Sequence, residues 1–419
     1  MTQRLSLWLI GPVALVVALV LLGVGYLALR PAGPLLREAQ FSLTTISPNA
    51  DGLDDITRID YVLSRPATVS IYFLDADGNR YDFRLNRPRE SGRHTLLFSG
   101  VVRGYTLPTD DLQGDVLERV LADGEYTWVI EAVNADEQMQ LTGLLTVREA
   151  DTTLPDLRGF SVFPQTFTPN RDGIDDRTTI NVYLSKAADL RVWLVDADGN
   201  LTPVPEAASL SLPGEPGLKT YDYEGGVDRG AQPPADGTYI VRALAEDRLG
   251  QKVQVESTLT IANGGIPRAE IVNAAVEFSE TTVVLGNELT FTLTVENYGT
   301  APIRTTGPAS GTVYRFDENA NTLGWFDESG AWRIGIDCDT CIRDYPYRWA
   351  LGTPEELTKI GEYYYLMPGQ RVTVTGTIIL TEQPPRNPLY FWAGLIHEDV
   401  EISNVNNRVD PHLVTIEAP

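Results

Sequence analysis

The amino-acid sequence predicts an all-β protein, built as three β-sandwiches in a row behind one N-terminal transmembrane helix. Three observations predict this class. A long apolar run stands near the N-terminus, one set of motifs occurs twice, and short segments alternate apolar with polar side chains. Such alternation is the period of a half-buried β-strand, and no helical period of useful length occurs outside the apolar run.

Composition excludes several classes of protein. The chain has 419 residues and a formal net charge of -24 at pH 7. Phosphate binding needs clustered Lys and Arg, so this acidic chain is not expected to bind nucleic acid. Its two cysteines are too few for a disulfide scaffold or a four-cysteine zinc site.

The apolar run Leu7–Leu29 is expected to anchor the protein in a membrane. Its 23 residues carry no charge and lie between Arg4 and Arg30. At 1.5 Å per residue, a helix of this length can cross a hydrocarbon layer of about 30 Å. A cleaved secretory signal is the alternative, but its apolar core is usually only about 7–15 residues long. We therefore assign 1–35 to an anchor and tether, with residues 7–29 contacting the membrane.

The chain then repeats itself, which predicts two modules of one fold at 36–150 and 156–262. In the first copy, Ile59, Tyr61 and Leu63 share one face of a predicted strand. Two motifs return at an offset of 121 residues: Ser-Pro-Asn-Ala-Asp-Gly-Leu-Asp-Asp (47–55) as Thr-Pro-Asn-Arg-Asp-Gly-Ile-Asp-Asp (168–176), and Asp-Ala-Asp-Gly-Asn (75–79) at 196–200. The first copy has a longer loop between Gly104 and Ala122.

The remaining segment, 268–419, is predicted to form a third sandwich of a different type. Phe291, Leu293 and Val295 alternate with threonines in a strand that ends at a Glu-Asn-Tyr-Gly-Thr turn. Between about 307 and 366 the chain is rich in aromatic residues, and we expect an insertion there. Long insertions on rigid sandwiches tend to carry function.

The repeated motifs resemble the immunoglobulin-like module of the flagellar hook-cap protein and a related module of secreted bacterial proteins. The resemblance rests on Ser-Pro-Asn-x-Asp-Gly-x-x-Asp, on the Asp-Ala-Asp-Gly-Asn turn and on a final Asp-Gly-x-Tyr. Val-Glu-Asn-Tyr-Gly-Thr-Ala-Pro-Ile (295–303) is similar to the adhesion-type immunoglobulin-like domains of bacterial surface proteins. These families work outside the cytoplasm, which implies a single-pass protein with a cytoplasmic N-terminus and an extracytoplasmic C-terminal bulk.

Calcium binding is one interpretation of the Asn-Asp loop in each repeat. Ca²⁺ prefers six to eight oxygen ligands, and a short loop supplies several from side chains and carbonyls. The alternative is an Asx-type turn, in which Asn and Asp bond their own backbone. A chelator lowers the melting temperature only if an ion is bound. The candidate ligands are Asn49, Asp51, Asp54 and Asp55 in the first loop, and Asn170, Asp172, Asp175 and Asp176 in the second.

Cys338 and Cys341 are predicted to form a disulfide. A zinc site would need two more soft ligands, and the chain has no other cysteine. A redox pair needs a depressed thiol pKa, which the flanking Asp337 and Asp339 oppose. A local disulfide suits an oxidising compartment.

Aromatic residues of the third module are the candidates for binding a partner. Exposed aromatic side chains bind sugar faces and proteins well, because they bring a large area with few rotatable bonds. The alternative for the same residues is burial in the core. The candidates are Trp325, Trp332, Tyr345, Tyr347, Trp349 and Tyr364.

No catalytic residue is assigned, and the protein is not expected to be an enzyme. It has three histidines and lacks a Gly-x-Ser-x-Gly elbow, a phosphate loop and a dinucleotide fingerprint. Apart from structural Ca²⁺, no cofactor is expected.

The sequence favours a surface structural or adhesion protein, whose repeats act as a spacer while the third module contacts a protein or glycan at the cell surface. A carbohydrate- or peptidoglycan-binding component of a cell-envelope complex is one alternative. An ancillary subunit of a larger membrane complex is another.

Overall fold

The structure, a computed structural model, describes residues 7–28, 33–207 and 212–419. Helix α1 spans Leu7–Ala28, and its side chains are described for Pro12 and 14–24. Within the described ranges, no helix has both the length and the apolar character needed to cross a membrane. The transmembrane helix predicted over Leu7–Leu29 is therefore not supported by the structure, and Leu29 itself lies outside the described residues.

The first repeat forms two sheets that pack face to face. One has the strand order β1-β3-β6 and the other β2-β10-β9-β4-β5. Phe73 of β4 stacks on Phe98 of β6 across the interior, with ring centroids 4.5 Å apart. The strands are β1 (Leu36–Phe41), β2 (Thr45–Ile46), β3 (Thr57–Leu63), β4 (Ala67–Leu74), β5 (Arg80–Arg89), β6 (Gly92–Phe98), β7 (Val101–Arg103), β8 (Asp115–Val120), β9 (Gly124–Val133) and β10 (Gln138–Val147).

The second repeat has the same arrangement. A three-stranded sheet β11-β13-β16 faces a sheet that contains β15-β14-β17-β18, and the short β12 runs parallel to β18 as β2 does to β10. The opening strand is thus divided between the two sheets in both copies. The strands are β11 (Leu157–Phe163), β12 (Thr166–Phe167), β13 (Thr178–Leu184), β14 (Asp189–Val195), β15 (Leu201–Val204), β16 (Gly217–Tyr223), β17 (Gly237–Glu246) and β18 (Lys252–Ile261).

The third module pairs a five-stranded sheet with an eight-stranded one. The first contains β19-β22-β29-β24 with β20 beside β22, and the second β21-β31-β30-β25-β23-β28-β27 with β26 beside β25. The strands are β19 (Ala269–Ile271), β20 (Glu277–Phe278), β21 (Thr282–Val284), β22 (Glu288–Asn297), β23 (Ile303–Thr305), β24 (Val313–Arg315), β25 (Trp332–Cys338), β26 (Tyr347–Ala350), β27 (Thr358–Ile360), β28 (Tyr363–Leu366), β29 (Arg371–Ile379), β30 (Leu389–His397) and β31 (Val409–Glu417).

The predicted all-β class outside the N-terminal helix is confirmed, and alternation is its physical cause. Ile59, Tyr61 and Leu63 all point into the first core. Three large clusters of buried apolar side chains fill the spaces between the described sheets, one in each predicted module. The boundaries 36–150, 156–262 and 268–419 stay predictions.

The segment 307–366 is part of the third sandwich rather than an addition to its surface. It supplies β24 to β28, and β25 is paired along its whole length with β30. Every residue of β25 is buried. This corrects the expected insertion, because these strands complete the core instead of extending beyond it.

The long loop of the first repeat contributes a strand that joins the sheets of the two repeats. It contains β8, which pairs with β7 on one side and with β18 of the second repeat on the other. The side-chain amide of Gln251 donates to the carbonyls of Asp151 and Thr153, at 3.1 and 3.0 Å. Continuous pairing across the two repeats resists bending between them, which suits a spacer.

Candidate partner-binding site

Four of the six predicted partner-binding aromatics are buried in the third module, three in its main core and Tyr345 in a small cluster with Trp392 and Ile396. Trp332, Tyr345, Tyr347 and Trp349 are each at most 6% exposed. The Trp349 ring lies edge-on to Phe291, and its indole N–H donates to a backbone carbonyl. Because these four side chains are buried, they cannot contact a partner, and they are not part of the binding surface.

The other two predicted aromatics line one cleft, which we call the aromatic cleft. Trp325 and Tyr364 lie on its walls together with Tyr363, which the sequence analysis did not include. Trp325 is 37% exposed and Tyr363 39%. The cleft has a volume of about 300 Å³, and its remaining lining residues are Thr305, Thr306, Gly307, Ala309, Ala350, Leu351, Gly352, Pro354, Leu357 and Glu362.

A short hairpin positions the two tyrosines. Strands β27 and β28 pair across a turn at Gly361, whose positive φ of 60° favours glycine. The other edge of β28 pairs with β23, so the hairpin belongs to the main sheet. Arg304 lies over the Tyr363 ring at 5.0 Å, and Lys359 over the Tyr364 ring at 5.8 Å. The tyrosines therefore sit on a supported wall rather than on a free loop.

A capped turn positions Trp325. Residues Ala320–Leu323 form a 3₁₀ turn, and the Asn319 side chain accepts hydrogen bonds from two of its backbone N–H groups. The Thr322 hydroxyl receives the Asn319 N–H in return at 2.9 Å. The Trp325 N–H then donates to the Ala320 carbonyl at 3.0 Å. This local network holds the indole at the mouth of the cleft before any partner arrives.

The lining defines what the aromatic cleft can bind. Most of its surface is apolar, and small residues at Gly307, Ala309 and Gly352 leave room between the aromatic walls. Glu362 is the carboxylate at its edge. Such a site accepts an aromatic or aliphatic side chain, or the apolar face of a sugar, with one hydrogen-bond acceptor beside it.

The first Asn-Asp loop is held by its own backbone. Asp55 Oδ1 accepts from the N–H groups of Asn49 and Ala50 at 3.0 and 2.8 Å, and Oδ2 accepts from Gly52 at 2.7 Å. Those backbone bonds lower the pKa of the carboxyl against the opposing effect of desolvation. Asn49 and Asp51 close further Asx turns. The oxygens thus face N–H donors rather than one common point.

The second loop repeats this pattern, but its Asn170 and Asp172 are buried. Asp176 accepts from the N–H groups of Asn170, Asp172 and Gly173. Desolvation and the charge of the nearby Asp172 carboxylate together raise the pKa of Asp176 to about 6. Among the described residues, no three His, Cys, Asp or Glu side chains are grouped to hold a metal. Calcium at either loop, including Asp54 and Asp175, stays a prediction from the sequence.

Contacts from the third module explain why Asp172 of the second loop is buried. The Tyr365 hydroxyl donates to Asp172 Oδ2 at 2.9 Å, and Arg304 Nε donates to the Asp172 carbonyl at 2.7 Å. The loops also approach closely, since a Cβ at Gly173 would lie 2.0 Å from the Ser329 carbonyl oxygen. The loop is therefore a docking point between the second and third modules.

His397 and Glu398 belong to the same junction and have structural roles. His397 Nε2 lies 2.8 Å from the Arg171 carbonyl, and its ring stacks on Trp332 with centroids 4.3 Å apart. Burial lowers the pKa of His397 to about 4, so the ring is neutral at pH 7. Glu398 pairs with the buried Arg333 and with Arg348.

The two cysteines form a disulfide between Cys338 and Cys341. It closes a tight turn in which the Cys341 N–H donates to the Cys338 carbonyl at 3.1 Å. Cys338 ends β25 in the core, while Ile342 beyond the turn is fully exposed. The bridge therefore fixes the chain where it leaves the sheet.

Comparisons with known proteins give no closer assignment. No protein-family model and no curated protein matches the chain. Matching solved structures include three N-terminal domains of the highly immunogenic outer capsid protein of bacteriophage RB49, the D1–D4 ectodomain fragment of ICAM-5, and a DUF4785 family protein from Legionella pneumophila. Their identities are 12%, 11% and 10%. The alignments cover 91%, 92% and 90% of this chain and 98%, 78% and 85% of theirs, with a TM-score of 0.22 each.

These TM-scores are too low to carry an argument about function. The sheet topology itself defines the class: this is a multi-domain protein of immunoglobulin-like β-sandwiches. The finer resemblance to hook-cap and adhesion-type modules stays a prediction.

Proposed function

We propose that the protein is an extracytoplasmic structural or adhesion protein that binds its partner through the aromatic cleft. The observation that supports this most directly is the grouping of Trp325, Tyr363 and Tyr364 around one apolar cleft. Partly exposed aromatics on supported walls lose little conformational entropy on binding, so they contribute strongly to affinity. Among the described residues that line the cleft, Glu362 is the one carboxylate, and no His, Cys, Ser or Lys accompanies it, which is the basis for proposing binding rather than catalysis.

The two repeats are proposed to act as a spacer that presents the third module. Support comes from both junctions. Strand β8 joins the sheets of the two repeats, and Asp172 of the second repeat receives hydrogen bonds from Arg304 and Tyr365. Junctions with directional hydrogen bonds fix the orientation of successive modules, whereas flexible linkers would let the cleft point in any direction.

The apolar segment at the N-terminus is proposed to hold the protein at a membrane, with the modules on the outer side. The support is the sequence alone, namely the uncharged run Leu7–Leu29 followed by modules of an extracellular type. Protease added to intact cells or spheroplasts is expected to degrade the protein, and alkaline washing should leave it in the membrane fraction. Full protection from protease would contradict this topology.

The aromatic cleft is expected to be lost as a binding site when Trp325 and Tyr364 are both replaced by alanine. Truncating central aromatic anchors typically costs more than about 2 kcal/mol of binding free energy, or more than about thirtyfold in affinity. Partner capture by the purified full-length protein from detergent-solubilised native membranes measures this. Capture should fall while the melting temperature stays close to that of the wild type.

A matched control distinguishes binding in the cleft from nonspecific binding by any exposed aromatic side chain. Tyr298→Ala removes an aromatic side chain that is 50% exposed in the same module but does not line the cleft. Capture should be unaffected by this change. If the wild type and the Trp325→Ala, Tyr364→Ala double variant capture the partner equally, the cleft is not the binding site.

A carbohydrate or peptidoglycan partner is the second candidate, and the composition of the cleft favours it specifically. Aromatic faces beside a single carboxylate at Glu362 suit a sugar, whose C–H face stacks while its hydroxyls donate to the carboxylate. Binding of the wild type, but not of the double variant, to a glycan or peptidoglycan array would select this candidate over a protein partner.

A further inference from the structure

One segment of the first repeat is basic, although the chain as a whole is acidic. The whole sequence has a formal net charge of -24, yet 80–103 contains six arginines and only two acidic residues. These arginines lie on β5, β6 and β7 or in the turns that join them. Such a local excess of cations in an acidic protein costs self-repulsion, and a bound anion would relieve it.

Three of these arginines surround one cleft, which we call the arginine cleft: Arg84, Arg87 and Arg103. It has a volume of about 410 Å³ and lies where the first repeat meets the second, with Lys252 of the second repeat on its far wall. Glu118 is the one acidic residue in its lining. The cleft is therefore strongly cationic.

The charges in the arginine cleft are not balanced within the described structure. Lys252 pairs with Glu118 at 3.1 Å, so the one carboxylate is already used. Neighbouring arginines outside the cleft do have partners, as in the pair of Arg80 with Asp82 at 2.7 Å. Arg84 instead donates to the carbonyl of the adjacent Phe83 at 3.1 Å. Among the described residues, neither Arg87 nor Arg103 forms an ion pair. Burial lowers the pKa of Arg84 against the opposing charge of Glu118, and the charges of Arg87 and Arg89 lower it further.

The cleft lies between two sheet edges. Strand β5 ends the five-stranded sheet of the first repeat, and β7 ends the sheet that continues into the second repeat. Both strands line the cleft. The outer edge of a terminal strand carries backbone groups that can pair with another extended chain. At the rim, the Leu97 side chain is 68% exposed and offers an apolar contact.

We propose that the arginine cleft binds an extended acidic peptide of a partner protein. Guanidinium groups bind carboxylates with two parallel hydrogen bonds, and the strand edges offer main-chain pairing. Leu97 receives an apolar side chain that alternates with the acidic ones. This site is separate from the aromatic cleft, so it gives the spacer region an interaction of its own.

The strand edges and the apolar rim favour a peptide over a phosphate polymer. A phosphate chain would use the charges of Arg84, Arg87 and Arg103 but has neither backbone N–H groups nor apolar side chains. An extended peptide uses all three features, because its side chains alternate between the cleft and the rim. Peptide binding should depend on Leu97 and phosphate binding should not, so a substitution at Leu97 distinguishes the two ligands.

Fluorescence anisotropy with the full-length protein tests the proposal. The probe is a fluorescein-labelled peptide of about ten residues that alternates Glu with Val, and the comparison peptide replaces each Glu by Gln. We expect saturable binding of the Glu peptide alone, weakened as salt rises from about 0.05 to 0.5 M. Arg84→Glu with Arg87→Glu should weaken binding at least about tenfold, and Leu97→Ser at least about threefold.

A control with the same change in net charge reverses Arg148 and Arg229, which are exposed and lie outside the cleft. Its affinity should stay within about twofold of wild type. Equal losses in both double variants, or no binding of the Glu peptide, would overturn the proposal. So would inorganic polyphosphate that binds tightly and independently of Leu97 while the peptide does not bind.

Discussion

Replacing Glu398 by alanine is expected to lower the free energy of unfolding of the third module by about 3–5 kcal/mol. Glu398 is almost fully buried, and its carboxylate contacts Arg333 Nη1 at 3.3 Å and Arg348 Nη1 at 2.7 Å. Arg333 is itself 0% exposed. Without Glu398 its guanidinium would remain charged in the core, because arginine does not deprotonate in proteins.

The remaining partners of Arg333 cannot replace the carboxylate. Its Nε and Nη1 donate to the carbonyls of Thr306 and Phe326, at 2.7 and 2.9 Å. Its Nη2 is buried without a protein partner. Neutral carbonyls satisfy hydrogen bonds but leave the net charge of the guanidinium uncompensated.

Thermal unfolding followed by tryptophan fluorescence measures this effect in the third module. Four of the seven tryptophans of the chain lie there. For a module of this size, 3–5 kcal/mol corresponds to a drop in melting temperature of about 6–20 °C. Asp327→Ala is the matched control, because Asp327 also pairs with Arg348 at 2.7 Å but is largely exposed. It should cost less than about 1 kcal/mol, and a larger loss than that of Glu398→Ala would contradict the account.

The parts of the fold that the sequence predicts are those that an alternating pattern controls. Ile59, Tyr61 and Leu63 face the first core because side chains alternate along a strand, and the repeated motifs form matching turns in both copies. The same pattern also occurs in the third module, at Phe291, Leu293 and Val295 and again in β25. Trp332, Ile334 and Ile336 alternate in β25, and this signal would have placed Trp332 in the core.

The contacts between modules could not be predicted, because backbone atoms make most of them. Arg304 binds the carbonyl of Asp172, and His397 binds the carbonyl of Arg171. A carbonyl is present at every position, so no residue type marks it as a partner. Tyr363 is not among the six candidate aromatics, because alternation assigns it to the same face as the buried Tyr365. It starts β28 beside a turn, where the chain leaves the regular pleat.

The second large effect is expected from Trp349→Ala, which should destabilise the third module by about 3–5 kcal/mol. Trp349 is 0% exposed, and its ring packs edge-on against Phe291 and Tyr314, with centroids 4.7 and 5.0 Å apart. Its indole N–H donates to the Thr312 carbonyl at 3.0 Å. Alanine would leave a cavity and remove the indole hydrogen bond to the Thr312 carbonyl. In contrast, Trp325→Ala should cost less than about 1 kcal/mol, because Trp325 already contacts solvent.

Gly376 provides an independent test of how tightly this ring is packed. A Cβ at Gly376 would lie 2.4 Å from Trp349 Cε2 and 2.5 Å from Phe291 Cε1. Gly376→Ala alone should therefore destabilise the module by about 1–3 kcal/mol through overpacking. In the Trp349→Ala background the same change should cost at least about 0.5 kcal/mol less, because the cavity accepts the new methyl group. Urea unfolding of the four proteins measures the coupling. An equal cost of Gly376→Ala in both backgrounds would show that the indole does not limit the space at Gly376.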